Sequence, residues 1–232
     1  MAELKICGID PSTASTGKTI MVLDTDDFSV KSVKMYAFHD TKVRCMTDER
    51  LRIDCVGTKY KSLSILERQN IAYEILDLDM EDVSFVSFEG YAYSKARSSS
   101  GANSRGMMQL AEFIGSMKYH FFKQGKGILV YPPTTVKRIA TGDGGADKIK
   151  MQRQFKHDYP DFYHPYIDNI IKWENPCSDL TDSFWICEAL RIHMKFDVLG
   201  SEAMTDIELN AVTDHTPKAD PISEIPILRM KK

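Results

Sequence analysis

The chain has 232 residues, 43% of them hydrophobic and 27% charged, which suits one large domain or a domain with a tail and excludes a fibrous or disordered chain. Its formal net charge of -3 gives no overall basic character, so any surface for a polyanion has to be local. No apolar run approaches the roughly 20 residues of a membrane helix, and Glu3, Lys5 and Asp10 interrupt the start where a secretory leader would be apolar, so the expected protein is soluble, intracellular and without a membrane partner.

Leu4–Asp10 is a short apolar run halted by an Asp-Pro turn and reads as a buried strand. Thr19–Leu23 is β-branched and apolar and reads as a second strand after a tight, Gly-containing link. Lys31–Phe38 alternates through Val33, Met35 and Ala37 as a third. Three strands on short links predict an antiparallel meander. Thr41–Lys59 is charged and mixed and gives no clear element. Tyr60–Leu78 sets Leu63, Leu66, Ile71, Ile75 and Leu78 near helical spacing, which predicts an amphipathic helix. Val83–Phe88 is almost continuously apolar and runs into Glu89, the pattern of a buried strand paired in parallel.

Ser94–Gly106 holds Ser98, Ser99, Ser100 and Gly101 between Arg97 and Arg105 and reads as a mobile loop. Met107–Phe122 predicts a second long helix. Gly127–Tyr131 predicts another buried strand, closed by Pro132 and Pro133, and Thr134–Ala140 a short helix. A loop with Gly142, Gly144 and Gly145 leads to a helix from about Ala146. Asp161–Trp173 is aromatic and irregular, and Asp179–Met194 forms the last helix. This order implies an α/β domain over residues 1–199 with a mixed sheet and helices on its faces. Residues 200–232 carry Pro217, Pro221 and Pro226 with little periodicity and read as an extended or disordered tail.

The acids at element ends carry the chemistry. Asp10 ends the first strand, and Glu89 ends an apolar strand, where a carboxylate needs a partner. Asp179 and Asp182 are three apart at the start of the last helix, so they share a face at the positive end of its dipole. Four carboxylates suit hard divalent ions, with one or two acids on each. Taken singly, each has a plainer reading: Asp10 as a turn residue, Asp179 as an N-cap, Asp182 as a first-turn dipole residue. The middle of the chain adds a basic block. Tyr91–Asp158 holds 12 Lys/Arg against 4 Asp/Glu, while the remainder holds 18 against 29. Such a block can neutralise phosphates or be a solvated face. The five cysteines are odd in number and contain no C-x-x-C pair, which argues against a disulfide framework or a zinc ribbon.

Several segments then resemble one family. Gly8-Ile9-Asp10-Pro11-Ser12 with Thr16-Gly17 resembles the first motif of the RuvC family of Holliday-junction resolvases. Val86-Ser87-Phe88-Glu89 resembles its second acidic strand. Tyr131 to Lys137, then Gly142 to Lys148, resembles the stretch ahead of its basic helix. Pro176 to Ser183 resembles its closing acidic motif. The resemblance spans roughly residues 4 to 194.

It implies an RNase H-like fold with a five-stranded sheet, an antiparallel meander followed by parallel strands. It also implies a homodimer that makes paired symmetric nicks in a four-way DNA junction, in the cytoplasm or another compartment that contains DNA. Asp10, Glu89, Asp179 and Asp182 would ligate Mg²⁺, with Mn²⁺ as a substitute, and Lys148 would contact phosphate. Tyr91 and Tyr93 are the candidates for an aromatic that stacks at the junction. Lys95, Arg97, Arg105, Lys137 and Lys150 are the further candidates for DNA contact. Lys148 and the tyrosines also read as ordinary surface residues.

Other functions use parts of the same pattern. A nuclease of RNA–DNA hybrids or other branched DNA would use the same acids, and a junction-binding module without catalysis would not require all four. An actin-like ATPase or sugar kinase also opens with a strand, an Asp and a turn. It needs a second phosphate loop, and Gly142-Asp143-Gly144-Gly145 follows no buried strand directly. The six histidines are scattered and carry no nucleophile signature.

Overall fold

A computed structural model describes residues 2–12, 15–39, 46–55, 63–90, 102–169 and 176–213. The chain opens with a meander of β1 (Glu3–Asp10), β2 (Ser15–Asp24) and β3 (Val30–His39). Two short strands follow, β4 (Met46–Thr47) and β5 (Leu51–Cys55), then helix α1 (Ile65–Leu76) and β6 (Val83–Glu89). The second half runs α2 (Ala102–Lys123), β7 (Gly127–Tyr131), α3 (Pro133–Thr141), α4 (Lys148–Asp158), α5 (Cys177–Leu199) and α6 (Asp206–Thr213).

The sheet has seven strands in the order β4-β5-β3-β2-β1-β6-β7. β1, β2 and β3 pair antiparallel, whereas β6 lies parallel to β1, and β7 parallel to β6. The five strands β3-β2-β1-β6-β7 have the RNase H-like arrangement. The expected count of five is corrected by β4 and β5, which extend the sheet beyond β3, with β5 parallel to it. In this edge segment Arg52 pairs with Asp54 at 2.9 Å, both partly exposed. Leu51 and Ile53 alternate with them and are buried, but a strand of five residues beside one of two gives too short a pattern to mark itself in sequence.

Period-two alternation divides the core. Ile6, Met21, Val33, Met35, Phe85 and Leu129 face one side, where they pack with α3, α4 and α5. Cys7, Ile9, Ile20, Tyr36, Phe38, Val86 and Phe88 face the other, under α1 and α2. Both faces of β1 and β6 are covered, which is why they read as nearly continuous apolar runs. Helix α5 is buried on almost every side over its first four turns, as a central helix should be.

Helix boundaries follow local chemistry. Ser64 and Glu67 form a reciprocal capping box at the start of α1. The other end is closed from the sheet. Lys18 Nζ, buried on β2, donates to the carbonyls of Ile75, Leu76 and Leu78 at 3.0, 3.1 and 2.7 Å. It also lies 4.0 Å from the centre of the Tyr36 ring. A cation at the negative end of the helix dipole satisfies carbonyls that the helix itself leaves free.

Three further expectations are corrected. Ser15–Lys18 belongs to β2, because Asp10 pairs with Gly17 and Ser15 with His39, so the link after Asp10 is shorter than read. Helix α2 begins at Ala102, inside the segment read as a loop, and residues 91–101 lie outside the described ones. The tail does not begin at Gly200 as extended chain: Ser201–Ala203 forms a 3-10 turn and α6 packs on α3 and α5. Residues 214–232, with the three prolines, lie outside the described residues.

Candidate active site

The register of β1 and β6 puts two acids side by side. Ile9 pairs with Phe88, so Asp10 and Glu89 follow at the carboxyl ends of adjacent parallel strands, where open α/β sheets place their ligands. Asp179 and Asp182 come to them from the first turns of α5. That approach depends on two glycines. A Cβ on Gly17 would overlap the main-chain carbonyl of Asp179, and a Cβ on Gly8 would overlap Ser183 O and Cys187 N. Small polar residues bind helix to sheet in the same region. Thr19 and Ser183 share a hydrogen bond of 2.8 Å, and Ser87 Oγ donates to Ile186 O at 3.0 Å.

The first turn of α5 differs from expectation. Asp179 is not the N-cap: the helix starts at Cys177, after Pro176, with no side-chain cap. The Asp179 carboxylate accepts instead from the hydroxyl of Ser15, which leaves it directed at the sheet. Lys148 is the first residue of α4, behind an Asp147 N-cap. Its ammonium reaches Asp182 Oδ2 at 3.1 Å.

Withdrawal from solvent raises all four acids, and neighbouring carboxylates add to the rise of Asp10, Glu89 and Asp179. Burial, then the charges of Asp182, Asp179 and Glu89, holds Asp10 well above the usual carboxylate range against the opposing pull of Lys148. Burial and Asp182 push Glu89 up to about 7, opposed by Lys148 and Lys137. Burial also raises Asp179, to about 6, with Asp182 adding to the rise and Ser15 and Lys148 opposing it. Asp182 is raised by burial, with Lys148 and Lys137 pulling the other way. For Lys148, burial works against the charge, but Asp182, Asp10 and Asp179 outweigh it and raise its pKa. Four acids and one lysine from β1, β6, α5 and α4 thus form one electrostatic unit.

The donor set is all carboxylate oxygen, which suits a hard divalent cation. Among the described residues no three such side chains stand in a metal-holding cluster. Asp179 is engaged by Ser15 and Asp182 by Lys148.

The structure distributes the remaining candidates unevenly. Lys137 on α3 lies close enough for its charge to act on Glu89 and Asp182. Lys150 is exposed and pairs with Asp143 at 3.2 Å, on the loop before α4. Arg105 is in α2, but its side chain lies outside the described residues, as do Tyr91, Tyr93, Lys95 and Arg97. Sequence reading missed Ser15, and it named Gly8 and Gly17 within the first motif without giving them a packing role. The signal for Ser15 and Gly17 was present in the Ser15-Thr16-Gly17 run, where small residues follow an acid-ended strand.

The strand order defines an α/β domain of RNase H-like fold, with an acidic centre at the strand ends. Neither a protein-family model nor a curated protein matches the sequence. Among solved structures, the chain is similar to RuvC of Thermus thermophilus, with 18% identity and a TM-score of 0.49 over 85% of this chain and 98% of that one. It is also similar to the same organism's RuvC in complex with a Holliday junction substrate, with 16% identity and a TM-score of 0.47 over 85% and 97% of the two chains. No helix among the described residues is long and apolar enough to cross a membrane.

Proposed function

We propose that this chain is a divalent-metal-dependent endonuclease that resolves four-way DNA junctions, with Asp10, Glu89, Asp179 and Asp182 as metal ligands. The observation that carries the reading is geometric: the β1–β6 register and the close approach of α5 at Gly8 and Gly17 bring Asp10, Glu89, Asp179 and Asp182, all withdrawn from solvent, to one end of the sheet. A fold that gathers carboxylates at such a cost calls for a cation to offset them. Mg²⁺ fits the oxygen donors, and Mn²⁺ should replace it. When bound, such an ion lowers the pKa of coordinated water and neutralises charge on a phosphodiester.

The chain's own residues do the rest. Asp10 and Glu89 are fixed by paired strands, and Asp179 by Ser15. Asp182 would exchange Lys148 for the ion, which frees the ammonium to meet a phosphate oxygen beside the acids. Lys137 supplies a second positive charge on the same side. The basic residues of α4, among them Lys150, Arg153 and Lys156, lead away from Lys148 along one helix and suit a polyphosphate backbone. The choice of a junction over another branched DNA rests on the four motifs from Gly8 to Ser183.

A homodimer fits the outer face of α2. Met108, Tyr119 and Phe122 are 72%, 65% and 49% exposed there, with Ala111 and Gly115 between them on the same face. Gly115 costs about 1 kcal/mol relative to Ala inside a helix. Among the described residues nothing beyond the helix's own backbone lies within 4 Å of where its Cβ would be, so the described fold gives no reason for it. Close approach of a second α2 does.

The test is cleavage of a labelled immobile four-way junction, a linear duplex and an RNA–DNA hybrid, each with Mg²⁺ or with EDTA. Paired, Mg²⁺-dependent nicks in the junction alone are expected. Cutting of the hybrid or of other branched DNA would change the substrate and keep the site. Tight junction binding with no cutting would mean a binding module.

A further inference from the structure

We infer that Ser15 is a positioning residue that sets the affinity of the acidic centre for its cation by fixing the Asp179 carboxylate. The inference rests on the metal-site reading above and assigns a role to a residue outside the acidic set.

The geometry is specific. Ser15 is the first residue of β2 and is fully buried, and its hydroxyl donates to Asp179 Oδ2. Asp179 itself is 4% exposed, so water offers few alternative donors. Two neighbours hold Ser15 in place. Thr16 Oγ1 donates to Ser12 O at 3.1 Å and accepts from Ser12 N at 3.4 Å, which ties the start of β2 to Ser12. Gly17 then meets the Asp179 carbonyl with no room for a side chain. Ser15-Thr16-Gly17 is thus a seat for the first turn of α5: Gly17 sets the distance and Ser15 the side-chain direction.

The consequence is a division of labour between two acids three residues apart. Asp182 pairs with Lys148, whose side chain is half exposed and can leave. Asp179 pairs with a buried hydroxyl on a strand and cannot easily turn. Asp179 Oδ2 accepts from Ser15, and Oδ1 accepts from the hydroxyl of Ser178 only at 3.5 Å, so the Ser15 bond is the closer constraint on the carboxylate. Outer partners that orient a ligating carboxylate typically change metal affinity by about 10- to 100-fold when they are removed. Loss of the Ser15 hydroxyl leaves Asp179 with only the longer contact from Ser178, and the ion would then have to order the carboxylate.

The experiment measures Mn²⁺ affinity without DNA, by the electron paramagnetic resonance signal of free Mn²⁺, on the full chain. Ser15→Ala and the closer-volume Ser15→Cys are compared with the parent, each with a thermal melt in EDTA to confirm folding. Ser15→Ala should weaken Mn²⁺ binding about tenfold, with Ser15→Cys intermediate. The same substitution is then made in an Asp179→Asn background. If Ser15 acts through Asp179, its effect disappears there. An unchanged affinity in Ser15→Ala, or an equal loss in both backgrounds, would overturn the inference and leave the metal site standing. Absence of Mn²⁺ binding by the parent chain would instead remove the metal reading, and this inference with it.

Discussion

Gly17 meets the main-chain carbonyl of Asp179 so closely that no Cβ fits between them. One residue thereby sets how near α5 comes to the sheet. Gly17→Ala has to push backbone away from backbone, with no flexible side chain to give way. Overpacking of this kind costs about 3 kcal/mol, which for a chain of this size lowers the melting temperature by roughly 6–12 °C. Urea denaturation measures it. A change within about 0.5 kcal/mol, the range of an indifferent surface site, would show that α5 can shift freely and that the acids are not held by this contact.

The repulsion at the acidic centre separates stability from activity. Asp10 is held well above the usual range by burial and by three neighbouring acids. Asp10→Asn removes one charge from that group. In EDTA the variant should be more stable than the parent by about 1 kcal/mol, of the order of one pKa unit of relief. Junction cleavage should fall by about 100-fold or more, with junction binding retained. Thermal melts and single-turnover cleavage, run on the same sample, give both numbers. A variant that is destabilised and still active would contradict both halves.

The same groups set a pH dependence. Glu89 titrates at about 7 and Asp179 at about 6, against ordinary values of 4.5 and 3.8. These folded-state values lie above the unfolded ones, so between them the folded chain binds more protons. The stability contribution of this pair is therefore greatest below about pH 4 and is lost as pH rises through 7. In EDTA the melting temperature should fall by a few degrees between pH 5 and pH 8. A cation that binds only the ionised acids reverses the trend. Millimolar Mg²⁺ should raise the melting temperature at pH 8 and have little effect at pH 5. Equal shifts at both values would place the ion elsewhere.

What could be read from the sequence follows from what each residue contacts. β1, β6 and β7 are covered on both faces, so their apolar runs mark them without reference to the rest of the chain. Asp10 and Glu89 are conspicuous because each ends such a run. Ser15 is not, because its partner Asp179 is 164 residues away and nothing local distinguishes it from a turn serine. The same bond explains the misread start of α5: the carboxylate that looked like an N-cap is taken up by the sheet. β4 and β5 escaped notice because they are short: β4 has two residues, and β5 alternates buried Leu51 and Ile53 with Arg52 and Asp54 over only five residues of a charged stretch. Helix α6 was missed because ion pairs, more than an apolar stripe, dock it.

The α2 face gives a direct test of the homodimer. Tyr119 and Phe122 are exposed and lie on the helix face opposite Phe113, Ile114, Met117 and Phe121, which are buried. Tyr119→Lys with Phe122→Lys should leave the melting temperature of the monomer within a few degrees, since surface substitutions usually stay within about 0.5 kcal/mol. Light scattering after size exclusion should show a parent dimer and a variant monomer. If the parent is a monomer at micromolar concentration, paired nicking needs another explanation.

Helix α6 is held by a buried charge network whose removal has a calculable sign. Arg191 donates to Glu188 at 2.7 and 2.6 Å, to Phe28 O at 3.2 Å and to Glu208 at 2.8 Å. Lys195 reaches Glu208 at 2.9 Å, and Tyr159 donates to Glu188 at 2.5 Å. Burial alone would raise Glu208, but the Thr205 backbone N–H, Lys195 and Arg191 outweigh it and hold its pKa down to about 2. A depressed acid contributes stability that is present above its unfolded value near 4.5 and lost as pH falls toward 2. Arg191→Met leaves Glu188 and Glu208 without their common partner and should cost about 3–5 kcal/mol at pH 7. Glu208→Gln keeps the shape and should cost less, roughly 2 kcal/mol. Its more specific effect is local. Amide exchange over residues 206–213 should rise in Glu208→Gln at pH 7, and in the parent only as pH drops below about 4. If exchange there is fast in the parent at pH 7, α6 is not docked by this network and the ion pairs contribute little.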